Sequence, residues 1–360
     1  MIKVTESIKE ILTHFSIELN PSSYGNGHIN DTYLVATDPS YILQKINKNV
    51  FKKPEEVMEN IKLVTEHLRR KIIAEGGDPM RETLNLIETV DGKPFYKSSD
   101  GEYYRMYVFI DGARSYDVVE SPEQLYQAAK AFGRFQNMLA DFPAEKLYEV
   151  IPRFHDTRKR YADFLAAVEA DSVGRAAGAA REIQFVKDRE DAVGVVVDDI
   201  ASGILPVRVT HNDTKLNNVL LDEKTGEGVC VIDLDTVMPG SLLYDFGDAL
   251  RFAGSTGAED EPDLDKIWFD LANFEAFTRG FVETLPSITE RELELLPFSV
   301  KLLTLECGMR FLADYLSGDT YFKTAYPEHN LIRCRTQFKL IEDMERKMGE
   351  MESIVKKIAG

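Results

Sequence analysis

The amino-acid sequence predicts an α+β chain in two parts: a small β-rich N-terminal lobe over residues 1–110 and a large α-rich C-terminal lobe over 111–360. Three observations predict it. At 360 residues the chain exceeds the usual size of one hydrophobic core, so two are expected. Up to Ile110, short β-branched and aromatic runs alternate with Asp-Pro and Asp-Gly turns. Beyond Asp111-Gly112, apolar residues recur mainly at helical spacing.

The elements follow in order. Ile8, Ile11, Leu12 and Phe15 mark a short amphipathic helix, closed by Asn20 and Pro21. TYLVAT (32–37) and YILQKI (41–46) flank Asp38-Pro39 and make a hairpin. Pro54 opens a helix to about Arg70. Strands are expected at 84–90, 94–97 and 103–110, with turns at Asp91-Gly92 and Asp100-Gly101. Helices are expected at 121–140, 154–169, 263–285, 290–316 and 331–358. Between them, VRVT, NVLL and VCVID give short β runs over 206–233. No internal repeat or low-complexity tract interrupts the chain.

Composition narrows the function. The 43 basic and 61 acidic residues give a net charge of −18, with the acids spread along the chain. Such a balance argues against a nucleic-acid backbone or an anionic membrane as partner and favours a small molecule. Cys230, Cys307 and Cys334 have neither even number nor metal-like spacing, so disulfides and zinc are not expected. The first 30 residues lack a long apolar core and no later run approaches about 20 apolar residues, so a cytoplasmic protein is expected.

The chemistry concentrates in VTHNDTKLNN (209–218) and VIDLDTVMPG (231–240). His211, Asp213 and Asn218 have the H-x-D-x-x-x-x-N spacing of a phosphoryl-transfer loop, in which an Asp accepts the proton of an attacking hydroxyl and an Asn oxygen holds a divalent metal. Asp233, at the end of the next apolar run, stands where the second metal ligand belongs. His211 is read as bracing the loop. Lys215 either neutralises phosphate charge or is an exposed loop lysine. Asp235 either supports the metal site from behind or caps its loop. Asp245 and Asp248 in YDFGDALRF are expected to cap the next helix and to tie down the catalytic loop.

This pattern resembles the aminoglycoside phosphotransferase and choline kinase superfamily. Longer stretches, GHINDTYLV, YILQKIN, RVTHNDTKLNNVLLD, VIDLDTVMPGSLLYDFGDALRF, LECGMRFLADYL and YPEHNL, are similar to its kinases that phosphorylate the anomeric hydroxyl of N-acetylhexosamines. The resemblance implies a protein-kinase-like two-lobed fold, ATP with Mg²⁺, and a sugar substrate. Gly25 and Gly27 would then lie in a loop that covers phosphates, and His28, Asn30, Arg310 and Tyr321 would reach the sugar beside Asp213. A helix-surface pair with Glu306, four residues earlier, is the alternative for Arg310. On the connector MYVFIDG, Val108 and Ile110 are expected to meet adenine. Protein kinases carry a phosphate-gripping Lys on the third strand, but here alternation lets only one of Gln44 and Lys45 face the cleft; Gln44, on the face of the apolar Ile42 and Ile46, is expected inward, with Lys45 inward as the alternative. Another kinase of the superfamily, acting on an amino alcohol, a methylthio sugar or an aminoglycoside, is the competing expectation.

Overall fold

A computed structural model of the chain describes residues 7–18, 21–24 and 30–360. Two compact units divide it. One comprises Met1–Ser115, Asp141–Pro152 and Asn218–Pro239; the other comprises Tyr116–Ala140, Arg153–Asn217 and Gly240–Gly360.

The first unit is built on an antiparallel sheet in which the strands Ser22–Ser23, Asp31–Val35, Tyr41–Ile46, Tyr103–Val108 and Leu86–Ile87 lie in that order, with Tyr96–Lys97 also pairing Tyr103–Val108. Leu43, Tyr104 and Met106 pack with Ile11, Leu12, Phe15 and Val35 to form its core. Tyr41–Ile46 and Tyr103–Val108 pair along their full lengths, so Gln44 faces Arg105 and Lys45 faces Tyr104. The strand expected over 84–90 is only Leu86–Ile87, because Thr89 closes a turn instead, its N–H donating to the Lys93 carbonyl at 2.8 Å.

The helix Pro54–Ala74 recruits the two later segments into this unit. Its Asn60 is buried, and its amide donates to the carbonyls of Tyr148 (2.8 Å) and Val237 (2.9 Å) while accepting the Tyr148 N–H at 2.9 Å. Arg81 similarly meets Asp222 at 2.5 Å. The hairpin Val219–Asp222 and Gly228–Val231 therefore belongs with the N-terminal sheet region, which the boundary at 110 could not anticipate.

The second unit is helical. The helix Glu290–Leu316 begins at the sequence-expected residue, fixed by a capping box between Thr289 and Glu292. Its buried face joins Tyr161, Phe164, Leu305, Phe311, Leu331 and Phe338 in one core. The expected helix over 263–285 is instead a 3₁₀ turn, Leu264–Lys266, followed by Leu271–Glu283, because Asp270 accepts the N–H groups of Ala272 and Asn273 and starts a new helix. The helix Leu242–Ala253 lies outside the helical ranges expected from periodicity; it is buried nearly all round, and its charged residues Asp245, Asp248 and Arg251 are buried with the rest. At Gly247 a Cβ would stand 2.5 Å from the Ser299 carbonyl oxygen, so only glycine permits this approach to Glu290–Leu316.

Candidate active site

In the second unit, the catalytic-loop segment is fixed from behind by a helix carboxylate. Ser241, not Asp245, caps Leu242–Ala253, which corrects the expected capping role and frees Asp245 for another. Asp245 accepts the backbone N–H groups of His211 (2.9 Å) and Asn212 (2.7 Å) and the Gln136 amide (2.5 Å). Thr214 donates to its backbone carbonyl at 2.5 Å. Burial pushes the Asp245 carboxyl above its ordinary value, against the pull of His211 and these donors. The tie between YDFGDALRF and the loop is therefore direct.

The loop itself is kinked. Asn212 has φ +64°, a left-handed conformation that asparagine tolerates better than most residues. The buried His211 ring sits edge-on to Phe132 and Phe135, and its Nδ1 accepts the Asp213 N–H at 3.3 Å. His211 thus shapes the loop. Asp213 and Lys215 emerge half-buried, with Lys215 Nζ 2.6 Å from Asp213 Oδ1. Burial works against the Lys215 ammonium, but Asp213 and Asp248 outweigh it and hold its pKa above the ordinary value. Asp248 is itself engaged by Arg251 at 3.1 Å.

In the first unit, the hairpin Val219–Asp222 and Gly228–Val231 brings the two expected metal ligands to its open end. Val219 pairs Val231, and the Ile232 N–H donates to the Asn218 carbonyl at 2.9 Å. Asp233 follows with φ +58°, exposed, whereas Leu234 and Asp235 behind it are buried. An amide oxygen and a carboxylate oxygen are the hard donors that Mg²⁺ takes, with phosphate and water completing its shell. The donor set fits that ion, and among the described residues no group of three or more His, Cys, Asp or Glu offers a rival site.

Asp235 is engaged by protein groups on both oxygens. It pairs with the fully buried Arg105 guanidinium, and Asn30 Nδ2 donates to its Oδ2 at 2.7 Å. Arg105 Nε also donates to Gln44 Oε1 at 3.0 Å, and Gln44 Nε2 to Thr32 Oγ1 at 3.2 Å. Gln44 therefore lies on the face that carries Arg105 and Asp235, whereas Lys45 pairs with Glu102 at 3.3 Å on the other. Asn30 also accepts the Asn47 N–H at 3.0 Å. Both ends of its amide hold protein groups, so it braces this turn. Gly25, Gly27 and His28 lie outside the described residues.

The adenine expectation narrows. The Val108 N–H donates to the Asn85 carbonyl (3.0 Å) and the Phe109 N–H to that of Ser40 (2.9 Å), so the Val108 N–H is already taken within the protein.

Arg310 and Tyr321 come together in the second unit. The Arg310 guanidinium lies 5.8 Å from the Tyr321 ring, 5.7 Å from Phe154 and 5.4 Å from Phe322. The alternative pairing with Glu306 is not made: that carboxylate is bound by His155 Nδ1 at 3.1 and 3.2 Å. Burial, with help from neighbouring Arg310, lowers the Arg160 pKa, so two guanidinium groups share this region. Tyr321 is held by its backbone. Buried Asp314 accepts the N–H groups of Thr320 (2.9 Å), Tyr321 (2.8 Å) and Phe322 (3.0 Å).

Sequence reasoning missed Arg105 and Asp314, and of Asp245 it anticipated the tie to the loop but not its partners. Arg105 carried a signal: a lone charge in YYRMYV, whose neighbours Tyr103, Tyr104, Met106 and Tyr107 are all buried, needs an acid partner.

The sequence profile of the phosphotransferase enzyme family matches residues 22–277. The chain belongs to that family. It is a phosphotransferase. Similar solved structures include the aminoglycoside phosphotransferase from Alicyclobacillus acidocaldarius, with 13% identity, 98% of each chain covered and a TM-score of 0.61. Spectinomycin phosphotransferase, solved with ADP and spectinomycin, is 15% identical over 98% of this chain and 97% of that one, with a TM-score of 0.57. A microcompartment-associated aminopropanol kinase is 18% identical over 96% and 97%, with a TM-score of 0.56. At these identities the likeness shows the fold of this phosphotransferase: protein-kinase-like, with a β-rich N-terminal region and a helical C-terminal one. No helix among its described residues is long and apolar enough to cross a membrane.

Proposed function

We propose that this phosphotransferase is an N-acetylhexosamine 1-kinase, transferring the γ-phosphoryl group of ATP to the anomeric hydroxyl of N-acetylglucosamine or N-acetylgalactosamine. Asp213 orients that hydroxyl and accepts its proton as the oxygen–phosphorus bond forms and the bond to ADP breaks. An anomeric hydroxyl is more acidic than an ordinary alcohol, so alignment carries more of the task than basicity. Lys215, beside Asp213, sets the carboxylate and offsets charge on the transferring group. Asn218 and Asp233 would hold Mg²⁺, which supplies neutralisation of the phosphate charge when bound.

The observation that carries the sugar reading is Arg310. Its guanidinium is surrounded by rings, and no carboxylate among the described residues is within ion-pair distance of it. Donors so placed suit hydroxyl oxygens.

Incubation with ATP, Mg²⁺ and a panel of N-acetylhexosamines, amino alcohols and aminoglycosides, followed by phosphorus NMR, tests it. A sugar 1-phosphate signal is expected, and phosphorylation of the cationic compounds alone would overturn the sugar assignment. Within that assay, Arg310→Ala raises the sugar KM by roughly tenfold and leaves the ATP KM unchanged. A lowered melting temperature with unchanged sugar KM would move the sugar site elsewhere.

A further inference from the structure

We propose that Arg105 is a positioning residue for the metal turn, a fixed internal cation that commits Asp235 to the protein and leaves metal binding to Asp233. The inference rests on the kinase reading above and concerns residues of the first unit alone.

The argument starts from charge. Two carboxylates, Asp233 and Asp235, stand two residues apart in one turn, and without a partner both would compete for the same divalent ion. One of them is buried, and a buried carboxylate needs a counter-charge and hydrogen bonds. Arg105 supplies the charge and Asn30 a second donor, so both Asp235 oxygens are occupied by protein groups. Asp233 is turned outward by its left-handed backbone.

The geometry then extends the clasp. Arg105 reaches Gln44 across the strand pair, in direct register, so the strand position where related kinases place a lysine is tied to the metal turn through a guanidinium one strand away. Asn30 ties in the residue that follows the glycine-containing stretch, and Asn47 holds Asn30 from the other side. Arg105 is too buried to touch phosphate itself. Its effect on nucleotide is therefore indirect, through the aim of Asp233.

The test separates positioning from folding. Arg105→Met alone strands a buried carboxylate and lowers the melting temperature. The double variant Arg105→Met with Asp235→Leu removes both charges, and apolar replacement of a whole buried ion pair generally preserves stability. Calorimetry with Mg²⁺ and a non-hydrolysable ATP analogue is then run on wild type and double variant, with melting beside it. We expect wild-type melting in the double variant but affinity for the Mg²⁺–nucleotide weakened about 10- to 100-fold, as for other residues that orient metal ligands. Arg105→Lys, which keeps the charge but cannot fork to both Gln44 and Asp235, recovers part of that affinity. Unweakened affinity in the double variant would overturn the clasp while leaving the kinase reading intact. A wild-type protein that does not bind the Mg²⁺–nucleotide would instead overturn that reading and the clasp with it.

Discussion

The catalytic-loop segment and the metal turn are held in opposite ways. Residues 211–214 are fixed mainly through their backbone: Asp245 accepts two successive N–H groups, to which the Thr214 hydroxyl adds a bond to the Asp245 carbonyl. Residues 233–235 are fixed through a side chain, with Asp235 clasped by Arg105 and Asn30. A loop gripped by its backbone can carry reactive side chains without spending them. A turn gripped by one carboxylate must divide its acids between structure and chemistry, and the roles proposed for 235 and 233 follow that division.

The largest effect expected to sharpen this contrast is at Asp213. Asp213→Asn keeps the shape of the loop but cannot accept a proton, so kcat falls at least ~100-fold while ATP binding stays near wild type. Activity within tenfold of wild type would show that Asp213 only shapes the loop.

Asp245→Asn tests the backbone grip. The amide presents one acceptor where the carboxylate presents two, so either the His211 or the Asn212 N–H loses its partner, at a cost of about 1–3 kcal/mol of stability. The loop then loosens and kcat falls by roughly tenfold with little change in nucleotide affinity. An equal loss in nucleotide affinity would erase the proposed difference between the two regions.

Asp233→Ala tests the other side, and its readout is reversed. The Mg²⁺ requirement rises and nucleotide binding weakens about tenfold, both seen by titration calorimetry. Unchanged ATP affinity at saturating Mg²⁺ and at limiting Mg²⁺ would make Asp233 structural.

A smaller effect is expected on the strand beneath. Gln44→Ala removes an acceptor from Arg105 and raises the ATP KM by a few-fold, roughly one hydrogen bond's worth, whereas Lys45→Ala removes a half-exposed ion pair and leaves it unchanged. The reverse order would show that Lys45 serves the nucleotide.

Local pattern carried much of this. The H-x-D-x-x-x-x-N spacing and the acid after VCVI were readable because each lies within one short stretch, and alternation put Gln44 and Lys45 on opposite faces, with Ile42 and Ile46 favouring Gln44 as the inward one. The long helix Glu290–Leu316 was readable because its capping box announces it. Partnership across the sequence was not. Asp245 was expected to tie down the loop, but nothing near it names the His211 and Asn212 N–H groups as its partners, and nothing near Asp235 names Arg105, 130 positions away. Asp245 looked like a cap because acids before an apolar run usually are caps, but Ser241 took that place first. Glu306 looked like a partner for Arg310 by spacing, and His155, distant in sequence, claimed it instead.

Asn60 has a consequence for how the chain is made. It joins helix Pro54–Ala74 to the carbonyl of Val237, a contact spanning 177 positions. Synthesis runs from the N-terminus at about 5–20 residues per second, so the ribosome works for roughly ten seconds or more between the asparagine and its second carbonyl. During that interval the first sheet exists without the segment that completes its unit. The nascent N-terminal region lacks the Val237 carbonyl until the chain through the hairpin that follows Asn218 and precedes Asp233 has been made. Completion of that unit and arrival of its candidate metal ligands are therefore one event in the life of the chain.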